Sequence, residues 1–413
     1  MARVGVVGGS IGGCAAAVSL SRLGYEVEVL ERSDRELVAR GAGIATMTPF
    51  LDSLIGRDLV GAELPRIDGR PFRWMARDAT ERSGRLLGAD PAPLPASTLN
   101  WGDLYTHLRR RVPAEIYEHG QTVTHIDVSD ERPSLRLADG TRREYDLVVC
   151  ADGYRSRGRS TLFPDVTLRY RGYVLWRGLV PGRPAGVTDV LEQGAVRCGY
   201  SGGHGVFYLV PSSGDGNDGG TSINWGLYLQ VPDDELPTML TDRTGRSGDG
   251  SVAAGLLPPE REAALKARAA GLLPPAFADV VEAARDTFIQ AIFTATVPAY
   301  HHRQVCLVGD AGTLYPPFTG SGVFKAISNA VELADALAAE PNVHDALAAW
   351  NNGQLQHAAT FGQAADRFER SLIFSMPDLA SMSDEEFTAW SRAMWADATA
   401  PMTPSATPAK RAD

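Results

Sequence analysis

Residues 1–32 read MARVGVVGGSIGGCAAAVSLSRLGYEVEVLER, and this stretch decides the fold of the 413-residue chain. Arg3–Val7 is a short β-branched run, the pattern of a strand buried on both faces. The glycine-rich turn Gly8-Gly9-Ser10-Ile11-Gly12-Gly13 follows. Residues 14–23 are alanine-rich and predict a helix stopped at Gly24. Glu26–Leu30 predicts a second strand, and it ends on Glu31 and Arg32. A strand, tight turn, helix, strand and terminal acid form the unit that binds the adenosine half of a dinucleotide. Gly8 takes the turn, residue 10 lets the backbone approach a pyrophosphate, and Gly13 lets the helix pack close to the sheet. The helix N-terminus attracts the phosphates, and Glu31 accepts hydrogen bonds from the ribose. The middle glycine of the G-x-G-x-x-G pattern is replaced by Ser10.

Two other readings of the stretch compete. A glycine cluster can simply pack a helix on a strand, and Ile11-Gly12-Gly13-Cys14 resembles a lipobox at the end of a signal peptide. The segment before it carries only Arg3, and a strand with a terminal acid follows directly, so secretion is rejected. Taken alone, the stretch leaves NAD and FAD both open.

Composition narrows the class. A hydrophobic content of 44% is that of a globular protein, and 413 residues have room for two domains or one discontinuous one. Forty Lys and Arg against fifty Asp and Glu, a formal net charge of −10, argue against a nucleic-acid or anionic-membrane surface. No stretch has the length and apolarity of a transmembrane span. The four cysteines, Cys14, Cys150, Cys198 and Cys306, lie far apart without a CxxC pair. They read as small buried hydrophobes in a reducing cytoplasm, and no metal site is expected.

Along the chain, residues 1–70 are expected to open a nucleotide-binding domain, with a helix over 48–59. Residues 71–97, rich in proline and glycine, read as an excursion into a second domain. The first domain resumes over 98–169, with a helix at 101–111, strands at 121–127 and Ser134–Leu137, and the apolar strand 146–150. From residue 170 long alternating stretches (173–180, 195–200, 205–210, Thr221–Gln230) predict a mainly antiparallel sheet, the second domain, over 170–292. A loop is expected at 214–220, irregular structure over 232–255 and a helix over 259–270. Residues 287–293 read as the strand on which the chain returns. The first domain closes over 293–340, and helices follow over 341–398. The tail 399–413 is rich in Pro, Ala and Thr and predicts disorder.

Three apolar strands therefore end in GGSIGG, ADG (151–153) and GDA (309–311). Ligands bind beyond the carboxyl ends of strands in open α/β sheets, so the three ends converge on one crevice. Asp310 can hold a polyol hydroxyl, and Pro316-Pro317 is a stiff segment without amide donors. Gly320-Ser321-Gly322 opens a helix whose positive end favours nearby negative charge.

In this order the three motifs resemble the group A FAD-dependent aromatic hydroxylases. CADGYRSRGR (150–159) matches their second motif at Asp152, Gly153, Ser156 and Arg159. VGDAGTLYPPFTGSG (308–322) matches the third at Gly309, Asp310 and Pro316. Within that family YRGYVLWRGLV (170–180), TSINWGLY (221–228), DTFIQAI (286–292) and Trp101 with Leu104-Tyr105 resemble the 2,6-dihydroxypyridine 3-monooxygenase branch. The match spans about residues 3–340. It implies a Rossmann-like FAD-binding domain, a second α+β domain on a mainly antiparallel sheet, and C-terminal helices.

FAD is then held by Gly8, Ser10, Ile11, Gly13, Glu31 and Arg32 at the first motif. Asp152 and Gly153 serve at the second, and Gly309, Asp310, Pro317, Gly320, Gly322 and Val323 at the third. Arg40, Arg109 and Val123 are further cofactor candidates, and each arginine reads equally as a solvated surface charge. NADH or NADPH is a transient co-substrate with no separate domain. Oxygen forms a flavin C4a-hydroperoxide that hydroxylates an electron-rich aromatic or N-heteroaromatic ring.

The chain also departs from the family's pattern. Thr313 stands where many relatives have a histidine, Ser321 where a glutamine is common, and Phe324, beside Lys325, where an asparagine is common. An acid–base role at 313 is excluded, and a more apolar pocket is expected. For the substrate, Val206, Tyr208 and Val210 share one strand face, as do Asn224, Tyr228 and Gln230, opposite Trp225 and Leu227. Tyr208, Asn224 and Gln290 are the polar candidates for aligning a ring, with Phe318 and Thr319 beside it and Pro316 at the reacting end. His204 is a candidate acceptor for a ring hydroxyl's proton; between Gly203 and Gly205 it also reads as a turn residue facing water. Tyr208 and Trp225 read equally as sheet core, and Trp176-Arg177 as packing between domains. The function expected is an NAD(P)H- and O2-consuming aromatic monooxygenase of the cytoplasm, with a homodimer as the partner state to test. The alternative is a flavin-dependent epoxidase or oxidative-rearrangement enzyme acting on an indole, quinolone or polyketide.

Overall fold

The computed structural model describes residues 2–37, 42–69, 71–90, 96–129, 131–182, 184, 186–212 and 220–399. Arg40, most of the loop expected at 214–220, and the tail from residue 400 lie outside them. Arg3–Val7 is a central strand of a six-stranded sheet, and Val4 and Val6 are fully buried. The order is His301–His302, Val305–Leu307, Leu147–Cys150, Arg3–Val7, Glu26–Leu30, Tyr117–Glu118. All neighbours run parallel except the first pair. The strands ending in the three motifs are thus adjacent, which a parallel sheet with helical crossovers requires of one shared crevice.

The first helix, Ile11–Arg22, begins inside the glycine turn, three residues earlier than the alanine run suggests, with Ser10 as N-cap. The turn is closed by two contacts that only glycine allows. Gly8 has φ of 95°, and a Cβ there would lie 2.6 Å from the carbonyl oxygen of Ala151. A Cβ on Gly13 would lie 1.9 Å from the Gly8 oxygen. This helix lies against Gly322–Ala339, the helix of the third motif.

The second sheet has eight strands, in the order Ser251–Val252, Phe288–Thr294, Arg169–Pro181, Thr221–Gln230, Gly203–Pro211, Val196–Tyr200, Arg73–Ala76, Arg85–Ala89. It is antiparallel except between Val196–Tyr200 and Arg73–Ala76. Phe288–Thr294 stays in this sheet, paired with Arg169–Pro181, instead of returning the chain to the first one. Trp176, Phe207 and Trp225 fill the core on one face, together with Phe277 and Leu265 from the helices Pro275–Ala283 and Pro259–Leu272.

Several elements were not expected. The stretch 232–255 holds a short helix, Leu236–Met239, and the edge strand Ser251–Val252. The helix Pro275–Ala283 carries Pro275 at its first position, where the missing amide costs nothing. The C-terminal helix Val343–Glu369 ends in a π turn, Arg370–Phe374, before a last helix, Asp384–Thr399. A third, small sheet joins Gly43–Met47 to Ala96–Asn100 and Ile67–Asp68. All four cysteines are free and buried, and burial pushes the Cys14 thiol up to about 12. Among the described residues no helix is long and apolar enough to cross a membrane, and no group of His, Cys, Asp and Glu is placed to hold a metal.

Candidate active site

The three strand ends are stitched to each other by side chains. Glu31 is buried and accepts hydrogen bonds from the amides of Gly9 and Ser33, both at 2.8 Å. Tyr117 donates to the Gly9 carbonyl at 2.9 Å, with the Arg109 guanidinium 3.9 Å from its ring centre. Arg109 also donates to the Val112 carbonyl at 3.0 Å and faces Glu36, so it braces the turn from behind. Arg159 is almost fully buried and donates to the carbonyls of Asp310 (2.9 Å), Ala311 (3.3 Å) and Tyr154, tying the second motif to the third. Asp152 accepts from the amides of Arg157 (2.6 Å) and Gly158 (3.2 Å). Burial raises its pKa against those bonds, and its Oδ1 is buried with no hydrogen-bond partner. Gly153 and Gly309 both adopt positive φ.

Asp310 connects these strand ends to a cavity of about 520 Å³. Its Oδ1 accepts from Lys325 Nζ at 2.8 Å. Lys325 is 6% exposed and also donates to the Thr313 carbonyl. Pro316, Pro317, Phe318, Thr319, Gly320, Gly322 and Val323 form one wall of the cavity. Two-residue alternation builds the opposite wall from the antiparallel sheet, in rows running across the strands. One row carries Gln290, Leu175, Tyr228 and His204. The next carries Arg177, Gly226, Val206 and Arg197, and a third carries Asn224 and Tyr208.

Each substrate-side candidate therefore faces the cavity, but their polar atoms are not equally available. Tyr208 donates to the Gly43 carbonyl at 2.8 Å, alongside Arg177 at 2.6 Å, and Asn224 Oδ1 accepts from the Gly43 amide at 2.9 Å. Tyr208 and Asn224 thus clamp the strand that enters the cavity, which corrects their expected role as free substrate ligands. Gln290 is exposed to the cavity. Trp225 is core, and Arg177, read from the sequence as inter-domain packing, does bridge to the Gly43 strand and also lines the cavity. Alternation with Tyr173 and Leu175 could have found it. Of the remaining cofactor candidates, Arg32 is exposed beside Glu31, Val123 is buried at the start of Val123–Asp127, and Ile11 and Ser10 open the first helix.

His204 is not a water-facing turn. It is 2% exposed within strand Gly203–Pro211, because the π turn packs over it. Its ring stacks on Tyr228 (centroids 4.7 Å apart, planes at 22°), with Phe318 at 5.7 Å. Nδ1 lies 3.3 Å from the Leu372 carbonyl, and burial brings the pKa down to about 3, with the Arg197 charge acting in the same direction. The neutral ring must donate from Nδ1 to that carbonyl, which leaves Nε2 as an acceptor. Arg197 is held by Asp90 and lies over the Phe72 ring at 3.9 Å. The role of the C-terminal helix in closing this end has no signal in the motifs.

Three nucleotide-binding strand ends beside one aromatic-lined cavity define a flavoprotein oxygenase. Residues 6–36 match the NAD(P)-binding Rossmann-like domain family, and 170–294 match the FAD-binding-domain-like family. The chain is 29% identical to 2,6-dihydroxypyridine 3-monooxygenase of Paenarthrobacter nicotinovorans over 87% of its length and 88% of that protein. It is 27% identical to 3-amino-4-hydroxybenzoate 2-monooxygenase of Streptomyces cremeus, over 93% and 90%. The solved 2,6-dihydroxypyridine-3-hydroxylase from Arthrobacter nicotinovorans superposes with a TM-score of 0.81 at 26% identity, covering 91% of this chain and 93% of that one. With its three motifs in place, the chain is an FAD-dependent aromatic hydroxylase.

The residues present fit FAD. The helices Ile11–Arg22 and Gly322–Ala339 both begin without a side-chain cap, leaving first-turn amides for an anionic ligand. The orphaned Asp152 Oδ1 is a further acceptor without a partner.

Proposed function

We propose that the chain hydroxylates a phenol or a hydroxylated N-heteroaromatic, in the cytoplasm, with the ring in the His204 end of the cavity. The observation that carries this reading is a buried, neutral histidine in an aromatic box beside a flavin-type crevice. Bound FAD, reduced by NADH or NADPH, supplies the activation of O2. Gly8, Ser10, Gly13 and Glu31 would hold the adenosine half and pyrophosphate, Asp152 the central part, and Asp310 the ribityl chain. Gly320 and Gly322 would face the ring end.

The chain's own residues prepare the substrate. His204 Nε2 accepts a hydrogen bond from a ring hydroxyl and so raises the ring's electron density. It cannot supply a proton at neutral pH, because its imidazole is already neutral. Arg177 brings a positive charge to the same wall and favours the phenolate form of that hydroxyl. Tyr228 and Phe318 pack the ring and exclude water. The 2,6-dihydroxypyridine named for one relative and the aminohydroxybenzoate named for another are both electron-rich rings of this kind.

The test is NAD(P)H oxidation by the purified yellow protein with a panel of phenols and hydroxypyridines under ¹⁸O2. A substrate that stimulates oxidation and gains one labelled oxygen on the ring supports the proposal. Equal NAD(P)H consumption with every aromatic, and peroxide as the sole product, overturns it.

A further inference from the structure

A second cavity, of about 320 Å³, abuts the first. Met47, Arg197, Phe318, Thr319, Leu372 and Trp395 face both. The far walls come from Val343–Glu369 and Asp384–Thr399, elements outside the nucleotide-binding motifs. Phe324, Phe361, Phe368 and Met394 are among the residues that line it. Phe324 packs edge-on against Phe50 at 4.9 Å and against Phe361 at 5.5 Å, so this wall is fixed.

Most of the polar groups bordering the chamber are engaged within the protein; an exception is Thr46 Oγ1, at the border with the first cavity, which is buried without a hydrogen-bond partner. Arg197 is held by Asp90, and Trp395 Nε1 lies 3.4 Å from the same carboxylate. Arg367 donates to the Asp397 carbonyl at 2.9 Å, and Thr360 to the Gln356 carbonyl at 2.9 Å. Protein interiors are close-packed, and an apolar void of this size costs stability unless something fills it. Apolar cavities without polar partners hold water poorly and take up hydrocarbon. The volume alone is that of a small-molecule site, whereas the first cavity must take both the flavin's ring system and the ring to be oxidised.

From this we infer that the substrate is an aromatic ring carrying an apolar arm, with the ring in the first cavity and the arm in the second. The inference rests on the hydroxylase reading for the position of the ring. A nicotinamide coenzyme is a poor occupant of the chamber, since it would bring phosphates to aromatic walls whose bordering guanidinium groups are engaged.

Resorcinol and 4-hexylresorcinol are the probes, titrated into the FAD-loaded protein by calorimetry. The hexyl compound binds at least tenfold more tightly. Ala364→Trp, which fills the chamber from the Val343–Glu369 helix, brings the two affinities within threefold of each other and leaves that of resorcinol unchanged within twofold. Ala364→Leu gives a smaller loss in the same direction if the tryptophan variant does not fold. Equal affinities in the wild type overturn the proposal, as does an advantage that survives both variants. So does equal weakening of both probes, which marks a passage to solvent. Probe-stimulated NAD(P)H oxidation is read in parallel. An Ala364-sensitive arm effect without oxygenation of any ring retains the chamber and removes the hydroxylase reading.

Discussion

His204 shows how one residue's surroundings set its chemistry. The unfolded imidazole titrates near 6.5, whereas the buried one titrates near 3. Between those values the unfolded chain binds a proton that the folded chain does not, so stability falls as pH falls through 6.5. The slope approaches about 1.4 kcal/mol per pH unit. His204→Gln removes this loss. The stability difference between wild type and variant should therefore shift by roughly 2 kcal/mol between pH 7.5 and pH 5, measured by urea unfolding. An unchanged difference would mean that the ring is solvated. None of this is legible from Gly202-Gly203-His204-Gly205, because the burial comes from Leu372, 168 residues further on. Tyr208 and Asn224 are a similar case. Period-two alternation places them on the cavity face, but their partner Gly43 is contributed by a distant strand.

At the scale of elements, the glycine turn was readable because its backbone geometry excludes other residues. Ala at position 13 gains helix propensity of about 1 kcal/mol, yet its Cβ would sit 1.9 Å from the Gly8 oxygen, an overlap that only displacement of the turn relieves. Gly13→Ala should therefore cut the flavin-to-protein ratio of purified enzyme by more than half. Gly12→Ala, whose nearest contact is Val308 Cγ1 at 3.3 Å, should retain most of it. The absorbance ratio at 450 and 280 nm reads both. Elements without such steric signatures were legible as helices over 341–398 but not in their role. Asp384–Thr399 opens with a capping box, in which the Ser383 amide donates to Glu386 at 2.8 Å and the Glu386 amide to Ser383 at 3.2 Å. That signal was present in Ser-Asp-Glu-Glu. What it could not convey is that the helix closes a chamber beside the catalytic cavity.

For the whole molecule, the question is how two sheets that share little backbone pairing hold one site. Gly43 is where the small three-stranded sheet is joined to the eight-stranded one. Its strand pairs with Ala96–Asn100, while its amide and carbonyl are held by Asn224, Tyr208 and Arg177 of the eight-stranded sheet. Thr98 adds a hydrogen bond to the Leu209 carbonyl at 2.6 Å. The arrangement is asymmetric. The Gly43 carbonyl has two donors, but its amide has only Asn224. Asn224→Ala leaves a buried N–H without a partner, which costs about 1–3 kcal/mol, whereas Tyr208→Phe leaves Arg177 on the carbonyl and costs about 0.5–1 kcal/mol. Urea unfolding should rank the two variants in that order. Both changes also loosen the wall that presents the ring, so turnover should fall more steeply in Asn224→Ala while flavin content stays near wild type, because Gly43 is not among the residues proposed to hold FAD. A reversed order of stability would show that Arg177 does not hold the Gly43 carbonyl once the Tyr208 hydroxyl is gone, and would overturn this account of the clamp.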